Sequence, residues 1–268
     1  MRGHVLALRA RRLCLIACGL LIAAASACAG SITSARYETP VDRYGHFALG
    51  RPHEYARVTA TTDLGRKLTL ELSEDEVFED LAPRLVKLAA DTPVEALVII
   101  SSRQSGARLA LLGMEGHRLR ITAQSAAIGT PMRWLNPVGI ADMDGNGRNE
   151  IAAVITPHIG GTLKLYRRTG ARLVEIAVLG GFSNHVYGST ELRLALPVRA
   201  ARNTQLVVPD ANRLALRVIE YRAGRLVEVG RCALPAAVTG ELQLIAPYKI
   251  SVDTGSQRRS IALDDCRL

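Results

Sequence analysis

The chain has 268 residues, 48% of them apolar and 22% charged, a balance that excludes both a disordered segment and a bundle of membrane helices. Aromatic residues make up only 4%, too few for a chain built around stacking on bases or sugars. The formal net charge is +9, but its arginines are scattered and form no basic face, which argues against a nucleic-acid partner.

Residues 1–12 carry Arg2, Arg9, Arg11 and Arg12 and no acid, and Leu13 to Ala27 follow as a charge-free, mostly apolar run. Fifteen helical residues reach roughly 23 Å, short of the ~30 Å hydrocarbon core. Residues 1–27 therefore read as an export signal rather than a membrane span. Ala25-Ser26-Ala27 before Cys28 satisfies the small-x-small rule of signal peptidase, and it also resembles a bacterial lipobox with Cys28 as the lipidated residue. Removing the signal leaves 30 basic residues against 25 acidic ones, a net +5. Cys14 and Cys18 leave with it, so Cys232 and Cys266 remain as a candidate disulfide in an oxidising compartment. Two separate buried thiols are the alternative. Residues 28–52 read as a linker or N-terminal arm, and 53–268 as a single domain.

A repeat of about 54 residues organises that domain. Glu95-Ala-Leu-Val-Ile-Ile, Glu150-Ile-Ala-Ala-Val-Ile and Gln205-Leu-Val-Val-Pro are apolar strand runs at steps of 55, with Ser260-Ile-Ala-Leu one step further. Each of the first three precedes a hairpin, in which Leu119, Leu173 and Leu226 recur. Upstream strands are read at Arg84, Pro137, Glu191 and Glu241. Four short strands per unit, separated by Gly- or Asn-rich turns, predict a small all-β propeller of four blades. The last unit shows two strands. Glu54–Thr61 and Lys67–Leu72 are expected to complete its sheet and close the ring.

One loop has the spacing of a metal site. Asp142, Asp144, Asn146 and Glu150 offer oxygen side chains at alternate positions, with the backbone carbonyl of Arg148 between them. Hard oxygen ligands in that number suit calcium. The loop is too short for an EF-hand and leads into a strand instead of a helix. An Asx-rich turn that needs no metal is the rival reading.

The stretch DMDGNGRNEIAAV, followed by the hairpin LKLYRRTGARLVEI, resembles an FG-GAP/VCBS repeat, the calcium-loop blade of integrin-alpha-type propellers and of many exported bacterial proteins. The resemblance spans residues 80–265, and only the copy at 137–177 is specific. In the other copies the loop has decayed: Lys87, Ala89, Asp91 and Glu95 retain two acids, and Pro197, Arg199, Ala201 and Gln205 retain none.

Four further residues stand out. Trp134, His158, Asn184 and His185 lie in or beside loops that a propeller gathers at one face, where a ligand mouth forms. The structural alternative has Trp134 filling a gap between blades and the histidines satisfying loop backbone. The acidic run Glu74, Asp75, Glu76, Glu79 and Asp80 reads as a solvated loop. No GxSxG, HExxH, P-loop or GxGxxG motif is present.

Two functions follow as expectations. The first is a non-enzymatic, calcium-stabilised binding or scaffold module of the bacterial cell envelope, presenting loops to a protein or glycan partner. It would be periplasmic, secreted or anchored through Cys28. The second is an exported hydrolase or lyase acting on a saccharide or small molecule, with His158 and His185 as acid/base groups. A polar funnel holding both histidines favours the enzyme, and a plugged opening with an apolar rim favours a partner surface.

Overall fold

The structure, a computed structural model, describes residues 30–200, 203–255 and 257–268. Residues 1–27, read above as an export signal, and Cys28 lie outside the described residues. Within them the protein is all-β and almost wholly antiparallel, and no helix is long and apolar enough to cross a membrane.

The strands fall into five consecutive units. The first holds β1 (Ile32–Pro40), β2 (Tyr55–Thr62) and β3 (Lys67–Glu71). In the second, β4 (Glu76–Phe78) and β5 (Arg84–Val86) both pair with β6 (Glu95–Ser102), and β7 (Gly106–Glu115) and β8 (Arg118–Gln124) follow. The third is β9 (Leu135–Ala141), β10 (Glu150–Ile155), β11 (Gly161–Thr169) and β12 (Arg172–Phe182). The fourth is β13 (Leu196–Arg199), β14 (Thr204–Pro209), β15 (Ala215–Arg222) and β16 (Arg225–Ala233). The last comprises β17 (Leu242–Ala246), β18 (Lys249–Asp253), β19 (Arg258–Ala262) and a 3-10 turn at Leu263–Asp265.

The repeat accounts for the three middle units. Strands β6, β10 and β14 are buried at every position, as continuous apolar runs require when both faces are covered. Gly116 and Gly170 take positive φ at the first position of two-residue hairpin loops, a backbone conformation that strains residues with a side chain. The recurrent Leu119, Leu173 and Leu226 are the first inward residues after those turns, each at most 5% exposed.

Four apolar clusters hold the units together, three between chain neighbours and one that also brings Ala48 and Leu49 of the first unit against the second and third. Ile32, Val58 and Phe78 pack with Val98 and Leu112. Leu97, Ile99 and Leu111 pack with Trp134, Ile151 and Ala153. Val154 and Leu165 pack with Leu206 and Ile219, and Val207 and Val218 with Ile250 and Val252. Each fully buried Leu or Ile contributes roughly 1.5–3 kcal/mol to these contacts. Among the described residues no such cluster joins the first unit to the last.

Three expectations are corrected here. Residues 32–40 of the supposed linker form β1, paired with β2 along its length. Only Ile32 and Tyr37 of that strand turn inward to a buried position, so its sequence looks polar. The N-terminal strands do not complete the C-terminal sheet. Strand β2 pairs with β1, β3 and β4, and the apolar face of this unit is already spent on the second unit. The last unit has three strands, because a tight turn with Tyr248 at φ 58° precedes β18, and Ser260 lies on its third strand.

Cys232 and Cys266 form a disulfide across 34 residues. It fastens the C-terminal tail to β16 of the preceding unit, beside a bridge between Arg231 and Arg267.

Candidate functional site

The acidic loop joins β9 to β10, and the ligand atoms of Asp142, Asp144 and Glu150 lie within 4.8 Å of one another. Asp142 Oδ1 accepts the amides of Gly145 and Asn146 at 2.8 and 3.1 Å, and its Oδ2 accepts that of Gly147 at 2.9 Å. Asn146 Oδ1 accepts the Arg148 amide at 2.8 Å. Glu150 is buried and accepts the Met143 amide at 3.0 Å. Arg167 of β11, which the sequence did not single out, bridges Asp144 Oδ2 at 2.5 Å and Glu150 Oε1 at 2.8 Å. Burial raises the Glu150 carboxyl, and the Met143 amide and Arg167 oppose that shift. Asp142, Asp144 and Glu150 are the group that could hold a hard cation, while Asn146 Oδ1 is turned to the Arg148 amide. A guanidinium already neutralises part of that charge.

The second site lies where loops of the first three units meet. Its anchor is the segment 41–53 between β1 and β2. Buried Glu54 accepts the amides of Gly45, His46 and Phe47 at 2.8–2.9 Å, three successive N–H groups closed round a carboxylate. This fixes His46, whose Nδ1 lies 2.8 Å from Glu79 Oε1. Glu79 also accepts the Ala48 amide and the Ser101 hydroxyl, at 3.1 and 2.6 Å.

Opposite His46, Trp134 is 1% exposed and donates from Nε1 to the Glu79 carbonyl at 2.8 Å. The His158 ring stacks on it, and His158 Nε2 lies 2.7 Å from His185 Nδ1. The other nitrogen of His185, Nε2, lies 2.9 Å from the Ser189 carbonyl. Burial, then the neighbouring imidazole, pushes His158 down to about 3, and burial pushes His185 down to about 4. Both rings are neutral at pH 7. Tyr187 donates to the His46 carbonyl at 2.5 Å and meets the His158 ring edge-on.

These groups surround a cavity of about 150 Å³, lined by His46, Met132, Trp134, Thr156, His158 and Tyr187 among others. Its rim is apolar and open: Met132 is 40%, Ile159 66% and Tyr187 57% exposed. Phe47, Met132 and Thr156 have φ of 49°, 52° and 52°. Thr156 is the costliest of the three, since β-branched residues avoid that region. Such strain gathers where surrounding structure over-determines a site.

Of the four residues proposed for a mouth, the structure brings Trp134, His158 and His185 together. Asn184 is sealed away from the cavity and exchanges side-chain-to-backbone bonds with Asn136 at 3.2 Å. Trp134 also fills the gap between the second and third units. His46, Glu79 and Tyr187 were missed. Glu79 and Asp80 are fully buried, which corrects the solvated-loop reading. They follow the buried pair Val77-Phe78, and acids inside an apolar run were the available signal. A larger cleft of about 540 Å³ lies beside Arg148, Arg167 and Arg168, where Arg167 is paired with Glu150 and Arg168 with Glu95.

No protein-family model matches the chain, and no curated protein matches it.

Proposed function

We propose that the chain is a non-enzymatic binding module of the bacterial cell envelope. In this reading it is a row of FG-GAP/VCBS-type propeller blades, exported by residues 1–27 and anchored where Cys28 is lipidated. Calcium joins Asp142, Asp144 and Glu150 and shares the last two with Arg167. The partner, a protein or a glycan, meets the opening above His158. The observation that carries the reading is the exposed apolar rim of Met132, Ile159 and Tyr187 over a sealed floor. A shallow opening on an immobile base suits capture of part of a ligand.

The experiment is a random-peptide display library and an envelope-glycan array, each probed with wild type and with Ile159→Asp/Tyr187→Ala. A ligand retained by wild type and lost by the variant, at equal Tm, is the expected result. Equal retention by both would remove the mouth from the reading.

An exported hydrolase or lyase is the second reading, and the Glu79–His46 pair favours it, because a buried carboxylate orients that imidazole. The original acid/base pair suits it poorly, since His185 is sealed and both rings resist protonation. Among the described residues no Ser, Thr or Cys side chain hydrogen-bonds to the imidazole of His46, His158 or His185, and Ser183 reaches only the His185 backbone carbonyl. Turnover of a chromogenic glycoside or ester, lost in His46→Ala, would move the function there.

A further inference from the structure

We propose that the mouth binds the hydroxyl edge of a single sugar ring, with His46 Nε2 and His158 Nδ1 as its two hydrogen-bond acceptors; this deepens the binding reading and rests on it. The proton positions follow from the partners. A carbonyl oxygen only accepts, so His185 Nε2 carries the hydrogen that goes to Ser189 O. His185 Nδ1 is then a lone pair, and His158 Nε2–H donates to it. That leaves His158 Nδ1 bare. Glu79 accepts bonds from Ala48 and Ser101 as well, so His46 donates from Nδ1, which in this proposal leaves Nε2 as the bare nitrogen. Neither bare nitrogen has a partner among the described residues, and neither is among the buried unpartnered atoms, which are Tyr37 Oη, Arg66 Nε, Asn136 Oδ1 and Asn184 Oδ1. Both therefore reach solvent, at the walls of one cavity.

Two outward lone pairs select a guest with two donors. An anion brings only lone pairs. A cation meets Arg133, which also lines the opening. A metal needs a third ligand, and the one cluster of three among the described residues is the acidic loop. Two adjacent sugar hydroxyls donate to both imidazoles, and their oxygens accept in return from Arg133. Tyr187 and Ile159 offer an apolar wall to the C–H face of the ring. At about 150 Å³ the cavity is smaller than a site for a drug-sized ligand. With one exposed aromatic wall and no track of them, it takes one ring and not a chain of them.

Trp134 is the only tryptophan, so its fluorescence reports on this floor. Wild type is titrated with methyl glycosides of glucose, mannose, galactose and N-acetylglucosamine. At least one is expected to give a saturable change with a dissociation constant on the order of 1 mM, weakened at least tenfold in His158→Leu and in His46→Leu. A response unchanged in both variants overturns the proposal. Should a variant fail to fold, imidazole ¹⁵N shifts of wild type decide: the two bare nitrogens move on binding, and stationary resonances under a fluorescence change overturn it. Peptide ligands lost in Ile159→Asp/Tyr187→Ala, with no glycoside response, would sink the sugar and leave the binding reading. No ligand of either kind would sink both.

Discussion

The imidazole of His158 lies parallel to the indole of Trp134, with ring centroids 6.0 Å apart and planes 5° apart. The stack holds His158 Nε2 against His185, so a loop of the third unit is locked by two uncharged histidines.

Stability is therefore expected to fall on acidification. Both histidines have folded values, about 3 and about 4, far below the ordinary 6.5. Above pH 6.5 neither state binds the proton, so the pair adds no slope. Below it the unfolded chain takes up protons that the folded chain refuses, and stability drops as pH falls toward 4. Tm measured from pH 7.5 to 4.5 should decline, and His158→Gln/His185→Gln should flatten that decline. An equal slope in both proteins would place the titration elsewhere.

Arg167→Gln removes the guanidinium from Asp144 and from buried Glu150. A loss of about 3 kcal/mol is expected, because an uncompensated carboxylate stays inside. Calcium should raise the Tm of wild type and raise that of the variant further, while Asp142→Ala abolishes both effects. Identical midpoints in calcium and in chelator for all three proteins would dismiss the metal.

Cys232→Ser/Cys266→Ser opens a loop of 34 residues. The expected loss is roughly 3–4 kcal/mol by the chain-entropy estimate. Urea unfolding of the oxidised wild type against the variant measures it, and the reduced wild type should match the variant.

Thr156→Gly relieves a β-branched residue at φ 52°. A gain of about 1 kcal/mol is expected, read as a higher Tm. An unchanged or lower Tm would show that Thr156 contacts outweigh its backbone cost.

The blade-like units were legible because β6, β10 and β14 carry an unbroken apolar run, and because each opens with or near a polar residue, Glu95, Glu150 or Gln205. The disulfide followed from elimination among the cysteines. Strand β1 was hidden, since ITSARYETP buries only Ile32 and Tyr37 and takes its order from β2. The sites were half visible. The Asp142 loop is contiguous, but Arg167 reaches Glu150 from 17 residues away, and His46 reaches Glu79 across 33. Contacts of that span leave no spacing to read.

Among the described residues no apolar cluster joins the first unit to the last, so the molecule has two end units that each lack one packed neighbour. Its free energy is a sum of per-unit and interface contributions, so melting starts from the ends, where one interface is missing. The bond from Cys266 back to β16 serves there as an end-stop against fraying. Duplication can then change the number of units without solving a closure problem again.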